Sequence, residues 1–442
     1  MDGQAIRKLL EWFRRPGPVL TGMMLLQLCW LAAIWITGAS TNGPEILLLA
    51  LFALLAWLTA ILMPDDLRHR LEGWRGRLMP NRKTAVVVFL VIVISAGVFY
   101  AVYQRGWTFD EDHSLEAAHI VATEGPAALF AQYADIPWLG RQHPPLMPLL
   151  NGAVMRIFGE GLFTIRLFSL LFGLGTLAVT YALGRELYDA ATGQLAAVLL
   201  MTFPLVLRLS TAALTDVQVT FFFTLAIYLA VRTLRAPSWG TDLLLGLVVG
   251  LGLLTKYTMV MVGPVLVLFF LINRRAWRLW YHYAVAALIA GILIGGWFLY
   301  AYQLGVLTAQ RETIDIEPGF FVTNVGGLRW MANSLLTKLP SSIGVYHGLL
   351  LLLSGITLLR QRQWKDWFLL LWIASVSIVL IITLPDHRYF MPTFPAMSIM
   401  IALWLMRQSL GRKRAVFLAF LYAGSALWLF LDWYRASELF IG

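Results

Sequence analysis

Residues 107–119, WTFDEDHSLEAAH, set Asp110, Glu111, Asp112, His113 and Glu116 close together in a chain that is 59% hydrophobic and only 13% charged. The cluster follows directly on an apolar run over 84–103, long enough to cross a bilayer as a helix. In lipid the backbone must satisfy its own hydrogen bonds, so such a run is a helix or part of a closed barrel, and the short alternating strands of a barrel are absent. Outward from this point the same pattern repeats. Apolar runs lie near 18–37, 45–63, 84–103, 162–183, 191–208, 217–234, 242–256, 258–272, 281–302, 340–358, 367–384, 391–407 and 415–433. The sequence therefore predicts an all-α polytopic membrane protein with about thirteen transmembrane helices.

A net charge of +10 raises the question of nucleic acid. The distribution answers it. With the N-terminus inside, most of the 34 Lys and Arg fall in the connections 1–17, LRHRLEGWRGRLMPNRK, GRELYD, VRTLRAPSWG, NRRAWRLW, LRQRQWKDW and MRQSLGRKR, all on one side. That is the positive-inside pattern, and no basic face with interleaved aromatics remains for nucleic acid. Arg7, Lys8, Arg14 and Arg15 precede the first span without a small-residue cleavage site after it, so the span is read as retained. The single cysteine, Cys29, rules out a disulfide scaffold and a Cys-rich metal site.

Two units are expected: a two-span extension over 1–83 with its basic loop, and a membrane core over 84–442. The core carries two long external loops, 104–161 and 304–339, the second containing the amphipathic stretch GGLRWMANSLLTKL. Within the first, Leu146–Phe158 spans only about 20 Å as a helix, so it is read as interfacial. Counting it as a crossing would put NRRAWR and GRKR outside. With it lying flat, FDED, RQHPP, Asp216, Lys256 and PDHRYF all emerge on the external side, where charged helix ends can line one cavity. Lys256 sits at the tip of a hairpin of two short apolar segments, a pattern that marks binding sites in membrane proteins.

FDEDH, RQHPPL, FGEGLFTIRLFS, PLVLRLSTAALTD, GLGLLTKYT and DHRYFMPTFPA follow one another in that order between about residues 105 and 400. In these elements the chain resembles the GT-C glycosyltransferases that use polyprenyl-phosphate sugars, particularly family 39, the protein O-mannosyltransferases and aminoarabinose transferases. The resemblance implies transfer of a sugar from a lipid monophosphate donor to a hydroxyl on the outer side of the cell membrane. It also implies that Asp110 lies at the acceptor and that Asp216 faces the same cavity. Aminoarabinose transferases carry a lysine where this chain has His143, and both groups often carry an additional soluble domain.

Displacing a polyprenyl phosphate requires a base for the acceptor hydroxyl and cationic or N–H donors for the departing phosphate. A single displacement inverts the anomeric carbon. The expected catalytic residues are Asp110 as base, Glu111 or His113 orienting it, and Asp216. Arg141, His143, Arg166, Lys256 and Arg388 are the candidate phosphate contacts, with Tyr389 beside them. Arg166 could equally snorkel and Arg388 anchor an interface. Asp112 and Glu116 read as a solvated face, His119 and His347 as structural, and Trp107 and Trp138 as platforms for a sugar. The residues specify no cofactor and leave a divalent cation open. A divalent cation held by His113, His143 and His387 lacks the usual ligand spacing. Beyond the lipid-linked donor and membrane lipids, the acceptor stays open among protein, lipid and glycan. Two rival readings are a flippase of a lipid-linked sugar, which should place ionisable groups near span midpoints, and a non-catalytic subunit of an envelope-glycan assembly.

Overall fold

The computed structural model describes residues 82–103, 108–136, 139, 143–307, 328–329, 332, 335, 339–361, 363–382 and 386–407. The spans expected near 18–37, 45–63 and 415–433, all but the last two residues of the extension over 1–83, and nearly all of the loop 304–339 lie outside these residues. The described part is helical, with no strand among the described residues. It begins with α1 (Arg82–Tyr103), followed by α2 (Thr108–Thr123), α3 (Pro126–Ala131) and α4 (Leu146–Phe158). Next come α5 (Leu162–Leu187), α6 (Ala190–Leu200), α7 (Pro204–Ser210) and α8 (Asp216–Arg235). A hairpin is made by α9 (Trp239–Thr255), a 3-10 turn over Tyr257–Met261 and α10 (Val262–Ile272). The short α11 (Arg274–Arg278) leads into α12 (Trp280–Gln303). The described chain closes with α13 (Leu339–Ile343), α14 (Val345–Gln361), α15 (Trp364–Ile382), a 3-10 segment over His387–Thr393 and α16 (Phe394–Arg407).

Among the described residues, Leu162–Leu187, Asp216–Arg235, Trp280–Gln303, Trp364–Ile381 and His387–Arg407 are long and apolar enough to cross a membrane. Their burial sorts them. The segments Asp216–Arg235 and His387–Arg407 are 78% and 89% buried inside the protein, against 22% for Trp280–Gln303, so α8 and α16 form the centre and α12 the lipid-facing rim. The span expected over 191–208 is corrected to two helices, α6 and α7, meeting at 71°. Pro204 accounts for the break: it stands at the start of α7, and its ring, lacking an N–H, cannot continue a helix arriving from Leu200.

One end of the bundle is tied together by charge. Glu186, in the last turn of α5, pairs with Arg235 at 3.2 Å and Arg232 at 3.8 Å from the end of α8. The Tyr188 hydroxyl donates to Asp366 at 2.7 Å, and Arg407 lies 3.7 Å from the same carboxylate. Four of the basic connections thus meet at one face, as the charge pattern requires. The opposite end carries Asp216, Lys256 and the 3-10 segment beginning at His387. On that side α4 packs against α2 closely enough that a Cβ at Gly152 would lie 2.8 Å from the Ala118 carbonyl oxygen. The helix bearing FDEDH is therefore seated on a fixed surface.

Candidate active site

Glu111 fixes the FDEDH helix. It is fully buried and accepts two hydrogen bonds from Arg166, at 2.9 Å from Nε and 2.6 Å from Nη2, and a third at 2.6 Å from the backbone N–H of Ala213. Arg166 also donates to the Ala101 carbonyl at 3.1 Å. One buried ion pair therefore joins α1, α2, α5 and the segment before α8. A charge-assisted bidentate pair is the arrangement that repays the desolvation of both groups.

With Glu111 turned inward, its neighbour Asp110 projects on a different side of the helix. Its carboxylate receives Arg388 Nη1 at 2.5 Å, across 278 residues of sequence. Burial alone would raise the Asp110 carboxyl, but Arg388, reinforced by Lys256 and His143, outweighs it and holds the group below the usual carboxylate range. Arg388 is placed by Asp386, which caps the 3-10 segment by accepting the Arg388 backbone N–H at 2.9 Å and lies 3.6 Å from its Nε.

Beside this pair stands a second. Lys256 ends α9 in an extended conformation, and its ammonium donates to Asp216 at 2.9 Å. Asp216 occupies the first turn of α8, where the exposed N–H groups and the helix dipole favour a carboxylate. The Lys256 nitrogen also lies 4.3 Å from the centre of the Tyr389 ring, with the Arg388 guanidinium 5.9 Å from that ring. Tyr389 is therefore a shared platform for both cations. His143 is buried near Lys256, Asp110 and Arg388; burial first, then the two cations, drive its pKa down to about 3 against the opposing pull of Asp110. A phosphate would meet it as a neutral imidazole.

An aromatic brace supports the turn carrying His143 and the tip carrying Lys256. The Tyr133 hydroxyl donates to the His143 carbonyl at 2.8 Å, and the Tyr133 ring meets Trp297 of α12 edge-on at 5.4 Å. Trp297 in turn donates its indole N–H to the hydroxyl of Tyr257 at 3.0 Å, one residue beyond Lys256.

One family match covers the part of this site that holds His143, Asp216 and Lys256. The family model described as Dolichyl-phosphate-mannose-protein mannosyltransferase matches residues 142–300. The structure is similar to that of ArnT from Cupriavidus metallidurans, solved bound to undecaprenyl phosphate, with a TM-score of 0.62 at 16% sequence identity, covering 81% of this chain and 79% of that one. The fold is the GT-C glycosyltransferase fold. In sequence, the chain is 25% identical to an uncharacterised protein of Aquifex aeolicus over 76% of its own length and 67% of that protein's. It is 31% identical to an undecaprenyl phosphate-alpha-4-amino-4-deoxy-L-arabinose arabinosyl transferase of Pseudomonas aeruginosa over 46% of its own length, and spans 38% of that relative.

Of the residues singled out from the sequence, the GT-C core brings together Asp110, Asp216, His143, Lys256, Arg388 and Tyr389. Glu111 and Arg166 stand one layer behind, bound to each other. His113 lies 3.3 Å from Glu116 on the outer face of α2, where Asp112 and Glu116 are exposed. Arg141, Trp107 and Trp138 lie outside the described residues. Among the described residues no group of three His, Cys, Asp or Glu side chains is placed to hold a metal ion. Sequence reasoning passed over Asp386, although an acid two residues before an arginine at a helix start is a capping signal. It also passed over Tyr133, Tyr257 and Trp297, whose aromatic character is unremarkable in so apolar a chain.

Proposed function

We propose that the chain is an integral membrane glycosyltransferase of the cell membrane. It moves a sugar from a polyprenyl monophosphate donor to a hydroxyl of a protein, lipid or glycan acceptor on the external face. The observation that carries this reading is the pair of interlocked ion pairs, Asp110 with Arg388 and Asp216 with Lys256, around Tyr389 at one end of a GT-C bundle. The names of the relatives, which act on undecaprenyl phosphate and dolichyl phosphate sugars, support the donor class.

Asp110 is the base. Its Oδ2 is engaged by Arg388, and its Oδ1 takes the proton of the acceptor hydroxyl as that oxygen bonds to the anomeric carbon. The bond from the anomeric carbon to the phosphate oxygen breaks in the same displacement, with inversion, and polyprenyl phosphate departs with the electron pair. A carboxylate held at low pKa suffices because the oxocarbenium-like centre makes the attacking hydroxyl acidic late in the reaction. Lys256 and Arg388 stabilise the charge growing on the phosphate. Asp216 holds Lys256 in place and faces the sugar.

The test is transfer of a labelled sugar from its polyprenyl phosphate by purified protein in lipid. Asp110→Asn keeps the shape and removes the base, so the rate falls about 100-fold or more with donor affinity nearly unchanged. Asp112→Asn, on the exposed face, stays near wild type. A fully active Asp110→Asn enzyme overturns the assignment. If wild type shows no transfer with any donor while it still binds and moves lipid-linked sugar across the bilayer, the flippase reading replaces this one.

A further inference from the structure

We propose that α11 and the adjoining ends of α9 and α12 form a binding site for anionic phospholipid headgroups, on the membrane face opposite the candidate active site. Arg274, Arg275 and Arg278 are all exposed on this five-residue helix. Arg278 follows Arg274 by four residues and Arg275 by three, so the helix crowds both against it. Like charges at these spacings destabilise a helix. Among the described residues no carboxylate lies within ion-pairing distance of the three. The acid in the first turn of α9, Asp242, is fully buried and bonded to His282, and the first turns of α11 and α12 carry none.

The helix is nonetheless firmly built. Asn273 caps it by accepting the Arg275 backbone N–H at 3.1 Å, and the Trp277 indole donates back to the Phe270 carbonyl at 2.7 Å. Among the described residues these cations have no counter-ion, and a capped and stapled helix holds them as a fixed basic surface for an anion. Its surroundings say which. Trp239, Trp277, Trp280 and Tyr281 are exposed around it, and Trp239 and Tyr281 also pack on the buried His282. Exposed Trp and Tyr belong at the headgroup level of a bilayer. An anion at that depth beside exposed arginines is a lipid phosphate, and the basic connections mark this as the face expected toward the cytoplasm. The arrangement also bears on α9, which starts here and ends at Lys256, so a lipid bound at its start steadies the helix that carries the catalytic cation.

The proposal stands independently of sugar transfer. Purified full-length protein in detergent is titrated with phosphatidylglycerol or phosphatidylcholine and bound lipid is counted by native mass spectrometry. Wild type is expected to hold phosphatidylglycerol more tightly than phosphatidylcholine. Each basic side chain near a membrane surface contributes about fivefold in affinity for anionic lipid. Combined replacement Arg274→Gln, Arg275→Gln and Arg278→Gln should therefore weaken phosphatidylglycerol about 100-fold and leave phosphatidylcholine unchanged. If that variant does not fold, Arg278→Gln alone is expected to lose about fivefold. Equal retention of both lipids by wild type, or undiminished phosphatidylglycerol binding by the folded variant, overturns the proposal.

Discussion

Asp110 and Glu111 are adjacent carboxylates with opposite roles, and the difference is a rotation of about 100° around one helix. Asp110 keeps partial exposure at 25% and meets a single guanidinium, whereas Glu111 has none and takes three hydrogen bonds. Removing the charge of Glu111 leaves Arg166 buried without its counter-ion, a change that costs about 3 to 5 kcal/mol. Glu111→Gln is therefore expected to lower the thermal midpoint of the purified protein sharply, while molecules that remain folded keep the wild-type donor affinity. Asp110→Asn should show the reverse pattern, a slow enzyme of nearly normal stability. Equal stability of the two variants would show that Glu111 is no anchor. The fate of Glu111 was legible in principle: Glu111, Ser114, Ala118 and Val121 recur at helical spacing and all are buried. Read as a run of acids, the stretch concealed that stripe.

At the scale of elements, the membrane helices and the side on which their charges emerge were readable from apolar length and from the Lys and Arg pattern. The helix over 146–158 was readable too, because its length sets it apart from a full span, whereas 242–256 was counted as a span and forms a helix of only 17 residues, Trp239–Thr255, that ends at the Lys256 tip. Which acid meets which cation was not readable. Asp110 and Arg388 belong to elements 278 residues apart, and Lys256 and Asp216 are 40 apart; only the packing of α8, α9 and the 3-10 segment between them decides the pairing. The brace of Tyr133, Trp297 and Tyr257 was hidden for the same reason, since each partner comes from a different element. Its expected effect is on geometry. Trp297→Phe deletes the N–H that holds Tyr257, and Tyr133→Phe deletes the hydroxyl that holds the His143 carbonyl, so each should raise the donor KM several-fold with little change in thermal midpoint. A double-mutant cycle separates positioning from general loosening. In a Lys256→Ala background, Trp297→Phe should add nothing further to the donor KM; if the two effects add, the brace does not act through Lys256. Tyr257→Phe, which keeps the ring and removes the acceptor, repeats the test from the other side of the bond.

For the whole molecule, the two ends of the bundle differ in kind. One gathers Asp110, Asp216, Lys256 and Arg388 around Tyr389; the other gathers Glu186, Arg232, Arg235, Asp366 and Arg407. The central helix α8 connects them, with Asp216 in its first turn and Arg232 and Arg235 in its last. Its 20 residues cover about 30 Å, one hydrocarbon thickness, so the two charge clusters belong to opposite membrane surfaces. On the positive-inside rule the second cluster is expected at the cytoplasmic surface, and the proposed function then has the lipid-linked donor met outside. That orientation can be measured with two exposed positions, Asp135 on the site side and Gln363 beside the basic network. In a background with the single natural cysteine replaced, Cys29→Ser, a membrane-impermeant maleimide added to intact cells should label Asp135→Cys and leave Gln363→Cys untouched until the membrane is opened. The site would face the cytoplasm if the pattern were reversed, and an acceptor on the outer surface would then be out of reach. Labelling of both positions in intact cells would mean that Asp135 and Gln363 share a surface, which the length of α8 forbids in a bundle that crosses the bilayer.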